Sequence, residues 1–163
     1  MMKLPRILEV TPIEAGRLSI VWSNRARSTV DIRERIARLD HFAPLADETL
    51  FATARAAMGG RVVAWGDVLD EDGEGPIDVG ADQLWRWAAE QAGEAMPHAA
   101  WKAWRERHGF AVATAAEVLG ISRRMAAYYD SGAWPIPKTV MLACEGYDAR
   151  RADREPTPEA EPA

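Results

Sequence analysis

The first third of the chain alternates short apolar runs with turn residues, a pattern that predicts β-strands. Residues 6–13, 17–22 and 28–32 are rich in β-branched and aromatic side chains, and Gly, Asn and Ser separate the three runs. In RLSIVW, Leu18, Ile20 and Trp22 fall on one face of the predicted strand. Residues 33–39 then follow as a short helical turn.

The next segment predicts a short helix and a hairpin. Asp47 stands before ETLF, where its carboxylate can cap a helix over 47–51. Gly59 and Gly60 separate two runs that read as paired strands, because both residues can adopt positive φ in a tight turn. The acidic, Gly-rich stretch 66–80 predicts a surface loop that ends in a short strand, PIDV.

From Ala81 onward the apolar spacing becomes helical. Leu84, Trp87 and Ala88 share one face of a predicted helix, which Gly93 and Pro97 end. Four more helices are predicted over 97–108, 114–119, 122–131 and 138–146. Trp85, Trp87, Trp101 and Trp104 are expected to pack the first of these five helices against the other four.

These elements predict an α+β protein made of a small β-rich domain and an all-α domain. The predicted boundaries are 1–80 for an α+β N-terminal domain, 81–96 for a linking helix, 97–149 for a helical domain, and 150–163 for a disordered acidic tail.

Charge separates the two halves. The chain of 163 residues has a net charge of −5, which by itself argues against a nucleic-acid partner. Residues 97–151, however, hold 8 Lys and Arg against 5 Asp and Glu, a local charge of +3, whereas residues 1–96 hold 11 against 16. No apolar run approaches the roughly 20 residues of a membrane helix, no signal peptide is evident, and Cys144 is the single cysteine. We therefore expect a cytoplasmic protein without a membrane partner.

The stretch AAEVLGISRRMAAYYDSG, residues 115–132, has the spacing of a helix-turn-helix. Ala116 is small where two helix backbones approach each other, and Gly120 stands at the tight turn, where a left-handed conformation is needed. The predicted inward positions are occupied by Ala115, Leu119, Ile121, Ala126 and Tyr129. This stretch resembles the helix-turn-helix of the lambda-repressor-like (Cro/repressor-type) DNA-binding family. It departs from the family at Ala126, which is usually Ile or Val, and at Tyr129, which is usually aliphatic.

The resemblance implies a set of DNA contacts. Ser122 would stand at the N-cap of the recognition helix, and Arg123 and Arg124 would face base edges, since this helix enters the major groove by its first residues. Tyr128, one turn along the exposed face, would contact a phosphate or a thymine methyl group. The implied phosphate contacts are Thr114, Lys102, Arg105 and Lys138. Repressors of this type act as dimers, so the resemblance also implies a homodimer, although the sequence identifies no dimer surface. The alternative interpretation is a helical hairpin with a structural or protein-binding role.

Residues 5–90 are similar to a small bacterial α+β domain of unknown function. The motif Phe-x-Pro-Leu-x-Asp-x-x-x-Phe is followed by a hairpin, a Trp and an Asp-x-x-x-x-x-Leu segment. Its residues here are Phe42, Pro44, Leu45, Asp47, Phe51, Trp65, Asp78 and Leu84. The insertion LDEDGEG departs from the usual short loop. Some members of that family carry a repressor-like helix-turn-helix after the domain, so the resemblance implies that this chain is a DNA-binding regulator. Some stand-alone relatives look like partners or antitoxins of small toxins, which implies the alternative role.

Other chemistry in the chain is weakly indicated. The stretch from Asp70 to Asp78 matches part of a calcium loop but has Ala81 where a bidentate Glu is required, which favours a solvated acidic loop. The three histidines lack metal-ligand spacing, and Cys144 falls on an apolar helix face with Val140 and Met141. No catalytic or phosphate-binding motif is present, so we predict neither an enzyme nor a cofactor.

Two functions follow from the sequence. The first is a sequence-specific DNA-binding transcriptional regulator that uses Ser122, Arg123 and Arg124. The second is an antitoxin-like or protein-interaction module whose acidic N-terminal domain docks a basic partner such as a small toxin.

Overall fold

The computed structural model describes residues 3–67 and 77–154. The chain is α+β and divides into two compact units, Met1–Ala92 and Gly93–Ala163, each with a hydrophobic core of its own. None of the helices in the described ranges has the length and apolarity that a bilayer crossing requires. The acidic residues Asp70, Asp72 and Glu74 of the partial calcium loop lie outside the described residues, as does the segment 155–163.

A three-stranded antiparallel sheet opens the first unit. Strands β1 (Ile7–Glu14), β2 (Arg17–Trp22) and β3 (Arg27–Asp31) lie side by side in chain order. Leu18, Ile20 and Trp22 alternate into the core as the period-two pattern predicts, and all three are fully buried. The run 17–22 is therefore confirmed as a strand with its inner face correctly identified.

Two short helices and a second antiparallel sheet follow the first sheet in the same unit. Helix α1 (Arg33–Arg38) is followed by a 3₁₀ turn (Ala43–Ala46) and helix α2 (Glu48–Phe51). The Asp47 carboxylate accepts a 2.9 Å hydrogen bond from the Leu50 backbone N–H, so the predicted cap is confirmed. Strands β4 (Arg55–Ala57), β5 (Val62–Ala64) and β6 (Asp78–Gly80) form the second sheet.

Gly60 lies where the two sheets meet within this unit. Its φ is +79°, and its carbonyl accepts a 2.9 Å hydrogen bond from the Ile7 backbone N–H. A Cβ at this position would collide with the carbonyl oxygen of Ile7. The Gly-Gly hairpin is thus required both by its backbone conformation and by the close approach of β1.

Helix α3 (Ala81–Gln91) is part of the first unit, which corrects the prediction of a linking helix over 81–96. Leu84 and Ala88 are buried in the first core, and Trp85 packs edge-on against Trp22 at 5.0 Å. The Gln91 side-chain amide also donates to the Asp31 carbonyl and accepts from its N–H, both at 2.8 Å. The apolar face of α3 therefore completes the core beneath the first sheet.

Four helices and a two-stranded ribbon form the second unit. The helices are α4 (His98–His108), α5 (Val112–Leu119), α6 (Arg123–Ser131) and α7 (Lys138–Ala152), and strands β7 (Ala95–Met96) and β8 (Ile136–Pro137) pair antiparallel. Helix α7 runs to Ala152, past the predicted end of the helical domain at 149. The predicted disordered tail, 150–163, is therefore wrong for residues 150–152, which belong to α7, and its part from 155 onward lies outside the described residues.

Aromatic side chains fill the second core. Trp101 and Trp104 stack at 5.9 Å, and Trp101 meets Tyr129 edge-on at the same centroid distance. Ala126 is fully buried beside Tyr129 in this core, so a small residue and a large one occupy the two positions that depart from the family pattern. The prediction that Trp85, Trp87, Trp101 and Trp104 pack the first predicted helix against the other four is wrong, because the first pair packs on the first core and the second pair on the second.

Cys144 lies in the same core and is almost fully buried. Burial raises the pKa of its thiol to about 12. A protonated thiol is a poor nucleophile and a poor metal ligand, so the side chain acts here as a small apolar residue, as the sequence indicated.

Candidate nucleic-acid interface

A sharp turn at Gly120 joins α5 to α6. Gly120 has φ 69° and ψ 28°, the left-handed conformation that the spacing predicts. The Ile121 N–H donates to the Ala116 carbonyl at 3.0 Å and so closes the end of α5. Ala115 and Ala116 are buried, and their small side chains let the two helices pack closely. Only the three residues 120–122 therefore separate the end of α5 from the start of α6.

Ser122 caps α6. Its side-chain oxygen accepts a 3.1 Å hydrogen bond from the Met125 backbone N–H, and its own backbone is extended. The hydroxyl is thus engaged in starting the helix, and the first turn that follows carries Arg123 and Arg124 without any acidic residue. The partial positive charge of the helix N-terminus adds to these two side chains.

Arg123 is directed toward the outer face of α5. Its guanidinium donates to Glu117 Oε1 at 2.8 Å, while the side chain of Arg123 remains 73% exposed and that of Glu117 66% exposed. An ion pair this open to solvent is weak, worth about 0–1 kcal/mol. Glu117 therefore holds Arg123 at the surface without sequestering it.

Arg124 is braced by Tyr128, one turn further along the same helix. Arg124 Nε donates to the Tyr128 hydroxyl oxygen at 2.9 Å, and the guanidinium carbon lies 5.4 Å from the centre of the ring. The contact uses the Nε–H and not the two terminal amino groups of the guanidinium. Those are the groups that donate to O6 and N7 of guanine.

Three of the predicted phosphate contacts are exposed. Lys102 lies on α4, Thr114 in the first turn of α5, and Lys138 at the first residue of α7. The N-cap residue of α5, Ala111, offers no side-chain acceptor to the first backbone N–H groups of that helix. Such N–H groups are natural partners for a phosphate oxygen.

Arg105, predicted as a phosphate contact, serves the interior of the unit and is corrected here. Its side chain is only 14% exposed. One terminal nitrogen pairs with the Asp130 carboxylate on α6, and the other donates to the Phe110 carbonyl at 2.8 Å. These bonds tie α4 to α6 and engage both terminal nitrogens of Arg105 inside the unit.

A second polar cluster, centred on Asp148, was not predicted from the sequence. Its carboxylate accepts hydrogen bonds from the Trp104 indole at 3.1 Å, from Arg107 at 2.6 Å and from His108 Nε2 at 2.6 Å. Partial burial acts to raise the pKa of Asp148, but the bonds from His108 and Trp104 and the charge of Arg107 outweigh it, so that pKa lies below its usual value. The cluster ties α4 to α7.

The polar clusters do not assemble into a metal site. Within residues 3–67 and 77–154, no three His, Cys, Asp or Glu side chains converge as ligands of one ion would. Asp148 is surrounded by donors instead, which suits a structural role. The exposed basic residues at the start of α6 therefore remain the strongest candidate binding surface among the described residues.

Comparison with solved structures identifies a relative that spans the whole chain. No protein-family model and no curated protein matches the chain. Among solved structures, the chain is similar to the crystal structure of a candidate DNA-binding protein from Nitrosomonas europaea. The two sequences are 34% identical, the match covers 100% of each chain, and the TM-score is 0.54. The similarity thus extends over both units.

Proposed function

Because the chain belongs to the same family as the Nitrosomonas europaea protein, we propose that it binds duplex DNA through its second unit. We further propose that it recognises a particular sequence and regulates transcription there. The observation that carries the proposal is the start of α6, where a left-handed glycine turn and a serine cap present Arg123 and Arg124 to solvent.

Each exposed group has a distinct part in the proposed complex. Arg123 and Arg124 would read base edges in the major groove, Tyr128 would hold Arg124 in place, and Ser122 would act through its cap on α6. Thr114, Lys102 and Lys138 would contact phosphates, which supply affinity but no sequence preference. Arg105 is left out of this set.

Selection from a random duplex library, with the full chain as bait, tests the proposal. The selected sequences should share a guanine-containing core. Two such cores about one helical turn apart, roughly 34 Å between centres, would indicate that a homodimer binds. A gel-shift titration against the selected duplex then gives the affinity of each variant.

The decisive variant replaces Arg123 and Arg124 by alanine. Loss of a bidentate contact to guanine costs about 1–3 kcal/mol, so the double variant should lose its preference for the selected duplex over an unrelated one. The matched control replaces Arg27 and Arg61, two exposed arginines of the first unit, and makes the same change in net charge. A double variant that selects the same sequences as the wild type would refute the assignment of α6.

A further inference from the structure

We propose that the groove between α4 and α7 binds a small aromatic molecule that carries a protonated primary amine. The groove has a volume of about 330 Å³ and lies entirely within the second unit. Ligand sites in proteins span roughly 300–1,000 Å³, so this one suits a molecule of one or two rings. The site is a property of the free protein and does not rest on DNA binding.

Each wall of the groove is one face of a helix. Side chains spaced three or four residues apart line it: Ala100, Ala103 and Arg107 on α4, and Met141, Cys144 and Asp148 on α7. The two alanines are exposed, and their short side chains leave the space above the core open. The groove therefore follows from the helix spacing of small residues on one side and sulfur-containing residues on the other.

The floor of the groove is apolar and contains several sulfur atoms. Met96, Trp104 and Cys144 line it, are almost fully buried and belong to the second core. Met141 is partly buried and packs against the same core. Sulfur atoms of methionine make favourable contacts with aromatic rings, often at the ring edge. Such a floor therefore favours an aromatic ligand over an aliphatic one of the same size.

Two carboxylates at the rim of the groove can accept hydrogen bonds from an amine. Glu145 lines the groove and is exposed, and no described residue bonds its carboxylate. Asp148 Oδ1 accepts from Trp104 and His108. Its Oδ2 accepts from Arg107 at 2.6 Å, which leaves one acceptor site of that oxygen unused among the described residues. An ammonium group, with three N–H donors, matches these acceptors.

The thiol of Cys144 shows which sign of charge dominates inside the groove. Burial, together with the negative charges of Asp148 and Glu145, raises the pKa of this thiol to about 12. The positive charge of Arg107 acts in the opposite direction and has a smaller effect. The groove therefore favours a cationic ligand over a neutral or anionic one of the same shape.

The test titrates the full chain with 2-phenylethylamine and follows the ¹³C-labelled ε-methyl groups of its methionines by NMR. The ring of the bound amine should shift the signals of Met96 and Met141, whereas Met58 in the first unit should not respond. A ligand of about nine heavy atoms should bind with a dissociation constant on the order of 1 mM. The uncharged analogue 2-phenylethanol should bind roughly three- to tenfold more weakly. An alcohol that binds as tightly as the amine would overturn the proposal, as would Met96 and Met141 signals that respond to neither probe.

Two variants locate the amine within the groove. Ala103→Leu fills part of the groove and should weaken binding about tenfold or more, and leucine at this exposed helical position should leave the melting temperature unchanged. Glu145→Gln should weaken the amine roughly three- to tenfold and leave 2-phenylethanol unaffected. The matched controls, Ala99→Leu and Glu106→Gln, make the same changes at exposed positions of α4 that do not line the groove, and both should bind as the wild type does. Full binding by Ala103→Leu, or equal losses in Glu145→Gln and Glu106→Gln, would overturn the site.

Discussion

Replacing Gly120 or Gly146 by alanine should change the stability of the second unit in opposite directions. Neither position would place a new Cβ within 4 Å of another atom, so the two substitutions differ in backbone conformation and not in packing. Gly120 is left-handed at φ 69°, and an L-residue there costs about 1–2 kcal/mol. Gly146 lies inside α7, where alanine is favoured over glycine by about 0.5–1 kcal/mol.

Thermal unfolding of the full chain measures both changes. In a unit of this size 1 kcal/mol corresponds to about 4–8 °C, so Gly120→Ala should lower the Tm of the second unit by roughly 4–16 °C and Gly146→Ala should raise it by roughly 2–8 °C. Hydrogen exchange in peptides from α5 to α7 assigns the transition to this unit. Equal Tm values for the two variants, or a Gly120→Ala protein as stable as wild type, would show that the turn does not require positive φ and that the placement of α6 is wrong.

Three further substitutions in the second unit have expected results. The pKa of Asp148 is lowered in the folded state, so its stabilising contribution is complete above its unfolded pKa of about 3.9 and is lost as pH falls through the folded value. Asp148→Asn should therefore reduce the dependence of the free energy of unfolding on pH in the acidic range. The same substitution should weaken the bond to the buried Trp104 indole and make the unit less stable at neutral pH, and an unchanged neutral-pH melt would contradict the role of the cluster. Glu117→Gln should raise DNA affinity about two- to fivefold in a gel shift by releasing Arg123 from an exposed ion pair, whereas a decrease would indicate that Glu117 positions Arg123 for binding. Ser122→Ala removes the α6 cap and should cost about 0.5–2 kcal/mol in urea unfolding, and a cost near zero would mean that the cap is dispensable.

Local patterns in the sequence predict the local parts of this structure well. The strand at 17–22, the Asp47 cap and the left-handed Gly120 each depend on residues that are neighbours in the chain. Side-chain alternation, cap chemistry and the conformational freedom of glycine act over a few residues. For that reason a single sequence contains the information that specifies them.

Contacts between distant residues are where the sequence analysis fails. The spacing in α3 reveals an apolar face but not which core receives it, and the face packs on the first sheet. Arg105 and Lys102 have the same sign of charge on the same helix, and only the approach of Asp130 from α6 distinguishes an internal arginine from an exposed lysine. The Asp148 cluster depends in the same way on the packing of α4 against α7.

The ribbon of β7 and β8 determines where the second unit can be cut from the chain. Ala95 pairs with Pro137 and Met96 with Ile136, immediately before α4 and α7 begin. A fragment that starts at Pro97, the boundary that helix periodicity suggests, would leave β8 an orphaned strand and expose Ile136, which is 2% accessible in the intact chain. A domain intended for isotope labelling or for crystallisation with an oligonucleotide should therefore begin no later than Gly93.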